Sequence, residues 1–104
     1  MIVVRNVFQA KGGRSRELAQ AMAESLRRTA GAGGGSQPSG WRVLTDITGP
    51  FDTVVLEVET GSLAEWEQAM RELFASPEFQ ADLARFGELT VSGHRTLYTI
   101  EAHG

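Results

Sequence analysis

Residues 41–59 read WRVLTDITGPFDTVVLEVE, two β-rich runs (41–48 and 51–59) on either side of Gly49-Pro50. Branched and aromatic side chains suit a pleated, half-buried surface, and a Gly-Pro step between two such runs reads as a tight connection. The stretch therefore predicts an antiparallel hairpin. Along the second run Val54, Leu56 and Val58 fall on one face, while Thr53, Val55, Glu57 and Glu59 fall on the other. Successive strand side chains point to opposite faces, so this hairpin has one side made for a core and one that is mixed.

Each flank of the hairpin adds one helix and one more strand. Upstream, residues 2–9 (IVVRNVFQ) read as a strand, with Ile2, Val4, Asn6 and Phe8 on one side and Val3, Arg5, Val7 and Gln9 on the other. Gly12-Gly13 turns the chain, and from residue 14 to about 29 the period becomes helical. There Leu18, Ala21, Met22, Ser25, Leu26 and Thr29 share a stripe, with Arg16, Glu17, Glu24, Arg27 and Arg28 mostly elsewhere. Downstream, Ser62-Leu63-Ala64-Glu65 is a capping box that opens a helix with Leu63, Trp66, Met70, Leu73 and Phe74 on its apolar stripe. Ser76-Pro77-Glu78 restarts that helix, Phe79, Leu83 and Phe86 continue the spacing, and Gly87 reads as its end. A last strand is expected over residues 89–101, with a bulge or bend at Ser92-Gly93. A strand of that length outruns its neighbours, and crossing to a second subunit would satisfy its spare backbone groups. The order strand, helix, strand, strand, helix, strand predicts an α+β, ferredoxin-like βαββαβ fold: a four-stranded antiparallel sheet with two helices on one face.

At 104 residues the chain suits a single domain, 1–104. A hydrophobic fraction of 41% is enough to fill a core, and a net charge of −3 gives no attraction to nucleic acid or to an anionic membrane. The lack of cysteine removes thiolate chemistry and cysteine metal sites. Arg5 and Asn6 break the first apolar run, so it does not read as a signal peptide, and no apolar stretch approaches the ~20 residues that a bilayer requires. A cytoplasmic protein is the expectation. Residues 31–40, GAGGGSQPSG, form the one low-complexity segment and read as a flexible loop. A phosphate cradle would run from strand to helix and carry a Gly-Lys-Ser/Thr step; this segment leaves a helix, enters a strand and has no lysine.

The sheet face away from the helices needs cover as well, since it carries Val3, Val7 and Val55 beside Arg5 and Glu57. Two such faces laid together would close a barrel, so a homodimer through the open sheet face, a dimeric α/β barrel, is expected.

With that layout the sequence resembles the NIPSNAP-like proteins of the dimeric α/β-barrel superfamily. The resemblance rests on Val3-Val4-Arg5-Asn6-Val7-Phe8-Gln9 before Gly12-Gly13, on Leu44-Thr45-Asp46 and on Gly49-Pro50-Phe51 before the β-rich run. It also rests on Ser62-Leu63-Ala64-Glu65-Trp66-Glu67, on Phe74-Ala75-Ser76-Pro77-Glu78-Phe79 and on Leu97-Tyr98-Thr99-Ile100-Glu101. It implies a barrel-forming dimer, often with no assigned activity; a small-molecule ligand and no cofactor are the expectation for this chain. The wider superfamily includes cofactor-independent antibiotic-biosynthesis monooxygenases, haem-degrading monooxygenases, isomerases, cyclases and pure binding modules, so fold does not decide function.

Asn6 and Trp66 are the first candidates. Both lie on faces that point between sheet and helix, where an amide would hydrogen-bond a ligand oxygen and an indole would shape the pocket. The superfamily's monooxygenases resemble this, with an asparagine on the first strand and a tryptophan on the second helix. The plainer reading makes Trp66 a core residue and leaves Asn6 bonded to a neighbour. The later helix histidine of the haem-degrading relatives is absent. His94, on the side of Thr96, Tyr98 and Ile100, is a candidate general base or haem ligand, or simply a structural or surface residue. No partner sits at metal spacing from it, and no metal is expected. Arg5, Glu57 and Arg95, with Arg42 beside them, are expected to face the barrel interior. There, with Tyr98, they would either orient an anionic or aromatic ligand or neutralise one another. Three functions remain open: a small-molecule binding protein, a cofactor-independent monooxygenase acting on an aromatic or polyketide-like substrate, and a non-catalytic accessory protein.

Overall fold

The computed structural model describes residues 1–30 and 40–104. Its elements are β1 (Ile2–Ala10), α1 (Ser15–Ala30), β2 (Gly40–Thr45), β3 (Thr53–Thr60), α2 (Leu63–Phe74), α3 (Pro77–Leu89) and β4 (Thr90–Thr99). The four strands make one antiparallel sheet in the order β2-β3-β1-β4, the ferredoxin-like arrangement. The described residues measure 35 × 35 × 19 Å, the short dimension being one sheet plus one layer of helices.

Alternation along β1 and β3 selects the covered face. Asn6 lies opposite Leu56, Phe8 opposite Val54 and Val4 opposite Val58, and this face turns toward the helices. Val54 of β3 and Leu18 of α1 are fully buried, and Ala10, Met22 and Leu89 complete the cluster around them. α1 packs over β1, β2 and β3 and against α3, while α2 reaches β3 and α3. Burying side chains of this size stabilises by about 1.5–3 kcal/mol each, which is the main force holding the helix layer down. Both serine caps form: the Glu65 amide donates to Ser62 Oγ at 3.2 Å and the Phe79 amide to Ser76 Oγ at 3.3 Å.

Several boundaries differ from the sequence reading. The hairpin connection is not tight; it occupies residues 46–52, because Asp46 and Asp52 use their carboxylates on backbone amides. Thr53 donates to Asp46 Oδ1 and Gly13 to Asp52 Oδ1, each at 3.1 Å, and Asp52 itself adopts a φ of 62°. Gly87 does not end α3. The helix runs on to Leu89, whose burial and whose carbonyl, accepting from the Lys11 amide at 2.8 Å, draw the last turn into the core. The bulge falls one residue before Ser92-Gly93: Gln9 pairs with Ser92 and Ala10 with Thr90, which leaves Val91 unpaired. β4 ends at Thr99, and β1 pairs with it from Thr99 back to Thr90 apart from the bulged Val91, so the two strands are nearly equal in length. Residues 31–39, most of the expected flexible loop, lie outside the described residues. Among the described residues no helix is long and apolar enough to cross a membrane.

Candidate functional site

Register places two groups of polar side chains on opposite faces of the sheet. On the helix side, Asn6 of β1 stands opposite Arg95 of β4. Asn6 is only 8% exposed, and a buried side-chain amide needs partners. Arg95 Nε donates to Asn6 Oδ1 at 2.7 Å, and the Arg95 guanidinium lies over the Trp66 ring, 5.1 Å from its centroid. Strand β1, strand β4 and helix α2 thus each contribute one member of a chain: amide, guanidinium, indole.

Beside this chain a cleft of about 480 Å³ opens between β4 and α3. Asn6, Phe8, Gly87, Thr90, Gly93 and Arg95 line it, with Ser92 and His94 at the strand. Such a volume is enough for a small organic ligand. Thr90 Oγ1 is shielded from solvent and has no hydrogen-bond partner among the described residues, directly beside the bulged Val91. Gly93 sits under the Phe8 ring: a Cβ there would come within 2.7 Å of the ring's Cδ1. Apart from its chain neighbours and its own helix backbone, no atom of the described residues comes within 4 Å of where a Cβ of Gly87, on the helix wall, would stand.

On the open face Arg5, Glu57 and Arg42 are aligned across β1, β3 and β2. Arg5 Nε donates to Glu57 Oε2 at 2.7 Å and Arg42 Nε to Glu57 Oε1 at 2.6 Å. Glu57 is only 6% exposed because the two arginines cover it. Burial alone would push its pKa up; hydrogen bonds and the charges of Arg5 and Arg42 outweigh that and hold the carboxyl below the ordinary glutamate value. Val3, Val7 and Val55 share this face, as do Leu44 and Tyr98.

The structure brings Asn6, Trp66 and Arg95 together, and Arg5, Arg42 and Glu57 together, but it keeps the two sets apart. Arg95 is the correction: it was expected toward the barrel interior and instead faces the helices, because β4 pairs with β1 so that Arg95 meets Asn6. His94 stands opposite Val7 and Tyr98 opposite Val3, both on the open face and both exposed. Among the described residues no His, Cys, Asp or Glu side chains form a group of three able to hold a metal. Sequence reasoning missed Phe8, Gly87, Thr90, Ser92 and Gly93 as lining residues. The signal for Gly93 was its place in a strand, where glycine often marks a close approach of another group.

No family model matches the chain, and no curated protein matches it. Solved structures do. It is similar to an uncharacterized NIPSNAP domain protein from Burkholderia xenovorans, at 15% identity and a TM-score of 0.78, over 98% of this chain and 96% of that one. It is also similar to a NIPSNAP family protein from Agrobacterium tumefaciens, at 19% identity and a TM-score of 0.74, over 94% and 90%. A third likeness is to a variant of SnoaB, a cofactor-independent oxygenase from Streptomyces nogalater, at 16% identity and a TM-score of 0.73, over 98% and 94%. At such identities the likeness is one of fold: the ferredoxin-like fold of NIPSNAP domain proteins and of monooxygenase-like proteins.

Proposed function

We propose that this chain binds a small organic molecule in the cleft between β4 and α3, and that it works as a homodimer closed through the open sheet face. The observation that carries the first half is the Asn6–Arg95–Trp66 chain: a buried amide and a stacked guanidinium stand at one edge of the cleft. Convergent polar groups beside apolar walls are what a ligand pocket requires. The second half is supported by the apolar ring of Val3, Val7, Leu44 and Val55 around the Arg5–Glu57–Arg42 cluster. Apolar side chains on a four-stranded face are stabilised by a second layer. Screening aromatic and anionic compounds by thermal shift tests the site, and light scattering tests the assembly. Dimer mass is expected for the native chain and monomer mass for Val7→Asp; a native monomer would remove the second half.

A second reading, a cofactor-independent monooxygenase acting on an aromatic or polyketide-like substrate, is favoured by one observation: Asn6 and Trp66 both contact Arg95. The fold likeness to SnoaB, itself a cofactor-independent oxygenase, supports it. In such chemistry the ionised substrate is the reductant of oxygen, and the protein contributes orientation and fixed donors toward the anion. Oxygen uptake with polycyclic phenols, absent in Asn6→Ala and reduced in Trp66→Phe, is the expected outcome. No uptake with any such phenol would leave the binding reading alone.

A further inference from the structure

We infer that the cleft takes a planar aromatic monocarboxylate, its carboxylate on the free fork of Arg95 and its ring between Phe8 and Gly87. The inference rests on the small-molecule reading above and narrows it to one chemical class.

Charge accounting gives the carboxylate. Arg5 and Arg42 both donate to Glu57, and Arg28 is paired with Asp82, so each of those guanidiniums already has a carboxylate partner. Arg95 has no carboxylate partner among the described residues. Its Nε is spent on the neutral oxygen of Asn6 and its plane rests on the Trp66 ring. Both contacts fix the group without cancelling its charge. What is left is the edge bearing the two terminal nitrogens, two parallel N–H donors whose spacing matches the two oxygens of a carboxylate. The tether and the stack also lower the side-chain entropy lost when a ligand binds. Among the described residues no aspartate or glutamate lines the cleft, and Arg95 is the one arginine or lysine there, so a single negative charge is what it accommodates.

The glycines give the flat ring. Gly93 lets the Phe8 ring lie against the β4 backbone, where a Cβ would meet it at 2.7 Å, so Phe8 forms a wall instead of a plug. Gly87 faces it from α3. Its φ is not in the left-handed region and, beyond its own helix backbone and chain neighbours, a Cβ there would meet no atom of the described residues within 4 Å, so neither backbone geometry nor packing calls for glycine. Glycine near the end of a helix is a cost in stability. Its effect here is an open wall, and the space between that wall and the Phe8 ring suits a slab more than a branched chain. Gly87 is on this account a specificity-determining position.

Titration calorimetry with 2-naphthoate and its neutral carboxamide, on the native chain and on Arg95→Gln, Arg95→Lys and Gly87→Leu, tests this. The native chain is expected to prefer the carboxylate by about tenfold or more, the worth of a charge-assisted bidentate contact. That preference should vanish in Arg95→Gln and fall in Arg95→Lys, which keeps the charge without the fork. Gly87→Leu should abolish binding of both compounds with an unfolding midpoint no lower than the native one. If the native chain binds both compounds equally and Gly87→Leu still blocks them, the carboxylate inference is overturned while the cleft reading stands. If neither compound binds the native chain, both are overturned.

Discussion

Phe8 and Gly93 face each other across the β1–β4 ladder so closely that a single added carbon at residue 93 would stand 2.7 Å from the Phe8 ring. That contact is with the Cδ1–Cε1 edge of the ring, with Val7's carbonyl oxygen only 3.3 Å from the same point, so relief requires the Phe8 ring to move. Gly93→Ala is expected to destabilise the chain by about 1–3 kcal/mol, as overpacking does, although alanine is ordinarily better than glycine in a strand. A double-mutant cycle with Phe8→Leu in urea checks the cause: the cost of Gly93→Ala should shrink by more than 0.5 kcal/mol or so in the Phe8→Leu background. Equal costs in both backgrounds would remove the ring from the explanation.

Glu57 makes stability depend on acid. Its folded pKa is held below the ordinary glutamate value, with Arg5 and Arg42 overcoming burial. The folded state therefore binds this proton less readily than the unfolded chain does. The stabilisation is fully present above the unfolded value, about 4.3, and is lost as pH falls through the lower folded value. Glu57→Gln should lower stability at pH 7 by about 2 kcal/mol: two arginines lose their shared anion, and both are partly exposed, so the full cost of breaking a buried pair does not apply. The native–variant difference in urea midpoint should narrow below pH 4 or so. A difference that stays constant from pH 7 to acid would place the effect in packing.

The two caps are independent tests of the helix boundaries. Ser62 and Ser76 each accept one amide hydrogen bond at a helix start, at 3.2 and 3.3 Å. Ser62→Ala and Ser76→Ala should each cost about 1 kcal/mol. The Ser76 variant should cost at least as much, because α3 carries the buried Leu89 whereas α2 has no buried residue. Additive losses in the double variant would show that α2 and α3 start separately.

Much of this fold was legible because its elements announce themselves locally. The change from alternation to a helical stripe between Gln9 and Leu18 and the Ser-x-x-Glu box at Ser62 are decided by neighbours within a few residues. What escaped was decided by partners far along the chain. Thr48 and Phe51 look like strand residues, but they lie in the hairpin connection that Asp46 and Asp52 hold with side-chain hydrogen bonds. Gly87 looks like a helix end, but the pull of Leu89 on the core decides. The site was legible in the same uneven way. Asn6 and Trp66 could be assigned to the sheet–helix side from their own strand and helix periods. Arg95 could not, because alternation in β4 says which residues share a face and not which face that is. Pairing with Asn6, 89 positions away, fixes it.

Gly87 offers the last test, and its sign runs against the usual expectation for a mutation beside a binding site. It lies within α3, two residues before the helix ends, with a φ outside the left-handed region and, beyond its own helix backbone and chain neighbours, no atom of the described residues within 4 Å of a Cβ placed there. Gly87→Ala should therefore stabilise the chain by about 0.5–1 kcal/mol, through helix propensity and the smaller conformational freedom of the unfolded chain. For a domain of this size that gain raises the unfolding midpoint by about 4 °C. The urea slope should stay the same, since no surface is newly buried. A methyl group also narrows the cleft much less than the leucine does, so weakened aromatic binding should grade from alanine to leucine while stability does not fall. A loss of stability in Gly87→Ala would mean that the glycine serves the helix, and the case for an open wall at this position would fail with it.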